Sequence, residues 1–322
     1  MIRIGFVGTG NITRRHFGAL HRLREQAEVV AVCDVVEERA RAAAAPFGAR
    51  VYLSSYEMLS RERLDALYVC LPPDAHVDQE LTAAEKGVHL FVEKPLPLDL
   101  AKAEQIARAA RASGIVTAVG YQWRYLSHVG RLREMLGGER VGMALGYFLN
   151  ALPGNPWWRI KSRSGGQVVE QAIHILDTSR FLLGEVERVW ADYALRANYD
   201  EPGFAQDDVH AINLRFESGA IASYAVCCIL HRRYQVGLDV LCKGHVYRLR
   251  ERELEIDGPE GTLSVMIEND PGFDENAAFV HAVATGDRSG ILCDYDDALR
   301  TQRVALAANQ AAQTGQPVRL AR

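Results

Sequence analysis

Short, nearly uninterrupted apolar runs recur through the first 120 residues and restrict what this chain can become. Ile2–Val7, Val29–Cys33, Ala66–Leu71, Val88–Val92 and Ile115–Val119 are each too apolar to alternate. Each therefore belongs to a strand covered on both faces, as in a parallel sheet. Between them lie helix-forming stretches, Thr13–Arg24, Glu37–Phe47, Ala75–Lys86 and Asp99–Ala112, the last two stopped by Gly87 and Gly114. Right-handed crossovers then build a doubly wound sheet with helices on both sides.

The rhythm changes after about Tyr121. A helix is expected over Ser127–Leu136, followed by longer strands at Ala144–Leu149, Arg188–Arg196, Val209–Phe216, Ala220–Cys228 and Gln235–Cys242. Glu217-Ser218-Gly219 reads as a hairpin turn. Helices at Asp274–Thr285 and Asp296–Gln313 close the chain. The expected architecture is α/β. A Rossmann doubly wound parallel sheet fills residues 1–121. An α+β domain with a large, mostly antiparallel open sheet fills residues 122–322. Partial alternation leaves one face of that sheet exposed, with Ile221, Tyr224 and Val226 as candidate face residues, so a homodimer or homotetramer is expected.

The turn Gly8-Thr9-Gly10-Asn11-Ile12-Thr13 follows the first strand and opens the first helix. Gly8 permits the tight turn, and Gly10 lets the backbone approach a pyrophosphate. The helix end offers N–H groups to the anion. Gly8, Gly10, Asn11 and Ile12 are thus candidate cofactor contacts. Thr13 replaces the third glycine of the usual fingerprint. Asp34 ends the second strand, where a carboxylate accepts both ribose hydroxyls and repels a 2′-phosphate. NAD is favoured over NADP on that ground. The competing view takes Gly8, Gly10 and Asp34 as ordinary turn residues.

Glu93-Lys94-Pro95 follows the strand Val88–Val92. Ligands in open parallel sheets sit beyond the carboxyl ends of strands, so Lys94 is aimed at the nucleotide crevice. Otherwise it is a solvated turn lysine. A cis peptide before Pro95 would fix its orientation. Later, Gly165-Gly166 precedes a stretch expected to be one helix. Val169, Ala172, Ile173 and Leu176 form its apolar stripe, and Glu170, His174 and Asp177 form a polar stripe at i, i+4 and i+7. Spacing alone also fits a solvated face with a local hydrogen bond. Trp157, Trp158 and Arg159, just before the double glycine, are candidates to pack on a sugar ring or wall off a nicotinamide, or else pack in a core. Gln122 follows the last early strand and His76 lies near the crevice. Each is a candidate cofactor neighbour or simply a packing residue.

Taken together, these segments resemble the Gfo/Idh/MocA oxidoreductases over the whole length of the chain. The resemblance rests on Gly8-Thr9-Gly10, on Glu93-Lys94-Pro95, and on Gly165-Gly166 followed by Glu170, His174 and Asp177. Leu71-Pro72-Pro73-Asp74-Ala75-His76, Trp123-Arg124-Tyr125 and the stretch from Asp296 to Pro317 are similar to family positions as well. It implies a nicotinamide dinucleotide in the first domain, with Leu71, Pro72, His76 and Glu93 near it. It also implies a catalytic or substrate-orienting Lys94 and a general base at His174. Asp is commoner at position 170, and Glu170 here would bond a substrate hydroxyl or hold His174. The implied activity is hydride transfer between NAD and a secondary hydroxyl or carbonyl of a sugar, polyol or related compound. That mechanism requires the Lys94 ammonium and the His174 imidazole to act on one carbon.

Composition narrows the alternatives. A net charge of -4 gives no broad attraction to nucleic acid or anionic membrane. No apolar run approaches the length of a membrane span, and no leader pattern is read at the N-terminus, so a cytoplasmic location is expected. The six cysteines form no C-x-x-C pair and read as core residues, and no metal site is expected. Two other functions compete: a dinucleotide-binding regulatory or scaffold protein without turnover, and NAD-dependent elimination or glycoside cleavage through a transient ketone.

Overall fold

The computed structural model describes residues 1–320. The chain divides into two compact units, Met1–Tyr125 with Asp270–Leu299, and Leu126–Asn269 with Arg300–Arg322.

The first unit alternates strand and helix: β1 (Ile2–Val7), α1 (Thr13–Arg22), β2 (Ala27–Cys33), α2 (Glu37–Ala44), β3 (Arg50–Tyr52), α3 (Ser55–Arg61), β4 (Ala66–Val69), α4 (Gln79–Glu85), β5 (His89–Val92), α5 (Leu100–Ser113) and β6 (Thr117–Val119). The sheet order is β3-β2-β1-β4-β5-β6, and every pairing is parallel. The order reverses after β3, so β1 and β4 lie side by side at the centre, which defines a switch point. Ile4, Phe6, Ala66, Tyr68 and Phe91 are buried in one core, as the unbroken apolar runs require.

The second unit begins with α6 (Ser127–Leu136), β7 (Val141–Ala151), α7 (Lys161–Ser164), α8 (Gln167–Glu170) and α9 (Ile173–Leu183). It continues with β8 (Val186–Ala194), β9 (Val209–Phe216), β10 (Ile221–Leu230), β11 (Gln235–Cys242), β12 (His245–Arg250), β13 (Glu253–Gly258) and β14 (Gly261–Met266). The chain ends in α10 (Pro271–Thr285), α11 (Tyr295–Thr314) and β15 (Val318–Arg319). The second sheet runs β14-β13-β12-β11-β7-β10-β9-β8-β15, and only the β7–β10 pairing is parallel.

Three features depart from the sequence reading. The segment Asp270–Leu299 was assigned to the second domain, but it packs with the first unit. Phe279, Val280 and Ala282 of α10 join the core of Ile2, Ile4 and Phe6, so apolar α10 packs on one face of the Rossmann sheet. Strands β12, β13 and β14 were not foreseen. Their charged residues pair across the ladder: Arg248 lies opposite Glu255 in register and bonds it, and also reaches Asp257 at 3.2 Å. Finally, Tyr224 and Val226 face inward, and the Tyr224 hydroxyl donates to Ser179 Oγ at 2.7 Å. Ile221 faces outward, 47% exposed, as alternation along β10 requires.

Candidate functional site

Parallel pairing brings several expected residues to one edge of the first sheet. Gly8 follows β1, Asp34 follows β2, Leu71 and Pro72 follow β4, Glu93 and Lys94 follow β5, and Gln122 follows β6. All therefore lie at the carboxyl ends of strands, where a doubly wound sheet receives its ligand.

Gly8 adopts φ +88, and a Cβ there would sit 2.3 Å from the Cys70 carbonyl oxygen. Only glycine fits this turn. At Gly10 no protein atom lies within 4 Å of the Cβ position, so the chain's own packing does not require a glycine there. Helix α1 has no side-chain cap at Ile12, so its first N–H groups are not taken by one. Thr13, in place of the third glycine, is buried, and its hydroxyl donates to the Gly8 carbonyl at 3.2 Å. Asp34 braces the loop. Its Oδ2 accepts from Thr9 N at 2.9 Å and Thr9 Oγ1 at 2.7 Å, and its Oδ1 accepts from Val36 N at 2.9 Å. A backbone cradle, an uncapped helix end and a carboxylate after β2 fit a dinucleotide.

Lys94 is half-buried after β5, and the Lys94–Pro95 peptide is cis. Two other expected cofactor neighbours turn inward. The Glu93 carboxylate is buried against His16 Nε2 at 2.9 Å, and His76 is buried against Glu80. Each finds a partner within the first unit, which a buried polar group requires. Gln122 opens a short 3-10 turn, Gln122–Tyr125, and is half-buried.

In the second unit the expected single helix is broken. α8 makes one turn and stops at Glu170; Gln171 and Ala172 intervene, and α9 starts at Ile173. Glu170 and His174 therefore do not share one continuous helical stripe. Asp177 is no solvated neighbour of theirs either. It is buried, accepting from Thr301 Oγ1 at 2.8 Å, while Thr301 accepts from Arg180 at 2.6 Å. Trp158 is 1% exposed, and its indole N–H donates to Glu170 Oε2 at 2.7 Å. Its carbonyl accepts from Gln206 at 2.7 Å. Gln167 ties α8 to β10 by donating to the Cys227 carbonyl at 2.7 Å. Arg159 donates to the Pro202 carbonyl at 2.9 Å and pairs with Glu201 at 3.5 Å, within its own unit.

The first unit is an NAD-binding Rossmann fold of an oxidoreductase family: the Gfo/Idh/MocA model described by those words matches residues 2–121, and that family's C-terminal domain matches residues 134–264. The chain belongs to the Gfo/Idh/MocA family of oxidoreductases. It is similar to D-apiose dehydrogenase of Paraburkholderia graminis, 31% identical over 274 residues, covering 80% of this chain and 65% of that one. It is also similar to scyllo-inositol 2-dehydrogenase (NAD(+)) of Bacillus subtilis, 25% identical over 334 residues, covering 99% and 96%. The fold matches a levoglucosan dehydrogenase solved in complex with NADH and levoglucosan, with a TM-score of 0.87 at 19% identity and 100% coverage of both chains.

Sequence reasoning named Glu93 but missed the cluster it joins. His16, Glu93 and Glu275 are all buried, with ligand-type atoms mutually within 4.8 Å. His16 and Asn276 stand 260 positions apart, so no local pattern announces their contact.

Proposed function

We propose that the protein passes hydride from a secondary hydroxyl of a sugar, polyol or sugar-derived substrate to NAD, or the reverse. The observation that carries this reading is the convergence of Gly8, Gly10, Asp34 and Lys94 at the carboxyl edge of the first sheet. Relatives named for D-apiose and scyllo-inositol support the substrate class. NAD supplies the hydride acceptor when bound. His174 takes the hydroxyl proton as general base, since an imidazole exchanges protons near neutral pH. Lys94 hydrogen-bonds the same oxygen and stabilises its developing negative charge. Glu170, oriented by Trp158, bonds a neighbouring hydroxyl. Gly8, Gly10, Asn11 and Ile12 receive the pyrophosphate, with Leu71, Pro72 and Gln122 along the same edge. Asp34 selects NAD over NADP.

Self-association through the second sheet belongs to the same proposal. Ile221 is 47% and Trp190 41% exposed on its outer face, and covering such side chains favours a dimer or tetramer. A cytoplasmic location suits six free cysteines, five of them buried. Among the described residues, no helix is long and apolar enough to cross a membrane.

The test is a panel of polyols, sugars and sugar acids read by absorbance of the reduced cofactor, with NAD and NADP in parallel. Accumulating NADH supports the reading. NAD-dependent conversion without net NADH points instead to elimination through a transient ketone. Tight NAD binding with no turnover on any substrate points to a regulatory protein.

A further inference from the structure

His16 lies on α1, three residues after the helix begins at Thr13, and is fully buried. Its ring meets Phe91 edge-on at 4.9 Å and Tyr68 at 5.4 Å, so the surroundings are dry and aromatic. The Asn276 amide decides the tautomer. Asn276 Nδ2 donates to the Gly272 carbonyl at 2.7 Å, which leaves Oδ1 as the atom facing His16 Nδ1 at 3.1 Å. An amide oxygen only accepts, so Nδ1 carries a proton. The other ring nitrogen, Nε2, lies 2.9 Å from Glu93 Oε1. That contact holds one proton, whichever partner owns it, because two lone pairs repel.

The same carboxylate also lies close against Gly120. A Cβ at Gly120 would stand 2.6 Å from Glu93 Oε1, so the glycine after β6 makes room for it. Glu275 of α10 approaches the cluster as a third buried group, with Oε2 unpaired. Burial and the neighbouring Glu93 push the Glu275 carboxyl well above the ordinary carboxylate range. Glu93 directly precedes Lys94.

We propose that His16 is a positioning residue: held in its Nδ1–H form by Asn276, it clamps Glu93 and so fixes the Lys94 turn against the helix that opens the nucleotide loop. This rests on the hydride-transfer reading of Lys94. A pair that merely filled the core would affect stability alone. A clamp affects turnover in protein that is fully folded, because small displacements of a charged group at a reacting oxygen are costly.

The experiment compares full-length wild type with His16→Ala, His16→Gln, Glu93→Gln and Lys94→Ala. Thermal melts, NADH affinity by fluorescence, and kcat and KM on one accepted polyol are read for each. His16→Ala is expected to lower kcat about tenfold to a hundredfold, with substrate KM changed less than about threefold, as befits a loss confined to the transition state. His16→Gln offers an amide that can bond Glu93 in either proton arrangement and is expected to recover most of kcat. Glu93→Gln, with an amide that donates to Nε2, is expected to keep the fold and to fall between the two. A folded His16→Ala protein with wild-type kcat overturns the proposal. If His16→Ala does not fold, nitrogen-15 NMR of wild type still decides: a His16 ring protonated at Nε2 and bare at Nδ1 overturns it, whereas a proton on Nδ1 supports it. Stoichiometric metal in purified protein, lost in Glu93→Gln, also overturns it, because the three groups would then be ligands. The two readings separate cleanly. Unchanged turnover in Lys94→Ala removes the hydride-transfer role and this inference with it. Turnover lost in Lys94→Ala but kept in His16→Ala removes the clamp alone.

Discussion

The indole N–H of Trp158 donates to Glu170 Oε2 at 2.7 Å, from a ring that is itself 1% exposed. The bond joins the short turn before the double glycine to the last residue of α8. The helix breaks after Glu170, and this bond ties its carboxylate to the tryptophan. Trp158→Phe keeps most of the apolar volume and removes the donor. A hydrogen bond to a charged group contributes about 1.5–3 kcal/mol, which corresponds to roughly a tenfold to hundredfold loss of kcat if Glu170 must be held. Steady-state kinetics beside a thermal melt checks this. Wild-type kcat would show that the bond serves packing only.

The two loop glycines make opposite predictions about stability. Gly8→Ala forces a Cβ to within 2.3 Å of a backbone carbonyl at φ +88, so the turn must distort. Both stability and NADH affinity should fall. Gly10→Ala meets no protein atom within 4 Å. Its melting temperature should stay near wild type while NADH affinity drops about tenfold or more, because the methyl stands where the pyrophosphate approaches. Calorimetric titration with NADH on both variants separates the cases. Undiminished binding by Gly10→Ala would remove the loop from the cofactor site.

Asp34 carries two duties, and one substitution separates them. Its Oδ2 holds Thr9 by two bonds, and its charge opposes a 2′-phosphate. Asp34→Asn keeps an oxygen acceptor for Thr9 and removes the charge. The ratio of kcat/KM for NAD over NADP should fall about tenfold, on the order of one lost charge repulsion, and the melting temperature should fall as well, because the amide NH2 cannot accept from Val36 N. An unchanged ratio would mean that the carboxylate serves only the loop.

The Rossmann half was legible because its signals are local. Unbroken apolar runs and glycine stops fall where β1, β2, β4, β5, α4 and α5 form. The later half was legible only where alternation was clean, as in β9, whose burial alternates strictly after its first residue. β12 and β13 hid because Arg248, Glu255 and Asp257 look like solvated loop charges until a neighbouring strand supplies their partners. The break after Glu170 hid because Gln171 and Ala172 are good helix formers, and tertiary ties such as Gln167 to the Cys227 carbonyl override that preference. In the candidate site, the positions of Gly8, Gly10 and Lys94 just after strands were readable. The inward turn of Glu93 and His76 was not, because each depends on a partner that must fold against it. His16 reaches Glu93 across 77 positions, and Glu80 meets His76 only once α4 has formed.

The last prediction concerns His210 on β9, which is 7% exposed. Its Nδ1 lies 3.2 Å from the Val226 carbonyl, and its ring meets Tyr193 edge-on at 4.5 Å. Burial pushes its pKa down to about 4; the Lys161 ammonium adds to this, while the Val226 carbonyl, Asp207 and Asp208 oppose it. The folded protein therefore binds the proton less readily than the unfolded chain, whose histidine titrates near 6.5. Above that value neither state binds the proton, and the contribution to stability is intact. As pH falls from about 6.5 to about 4 the unfolded chain takes up the proton and the folded protein does not, so stability is lost across that window and levels off below it. Between pH 7 and pH 5 the loss from this one group is about 2 kcal/mol. His210→Phe retains a ring against Tyr193 and cannot titrate. Its urea midpoint at pH 7 should be lower than wild type, because the bond to Val226 is gone, but the further fall on going to pH 5 should be smaller by about that amount. Equal falls in the two proteins would mean that His210 is already protonated in the folded state or is solvated there.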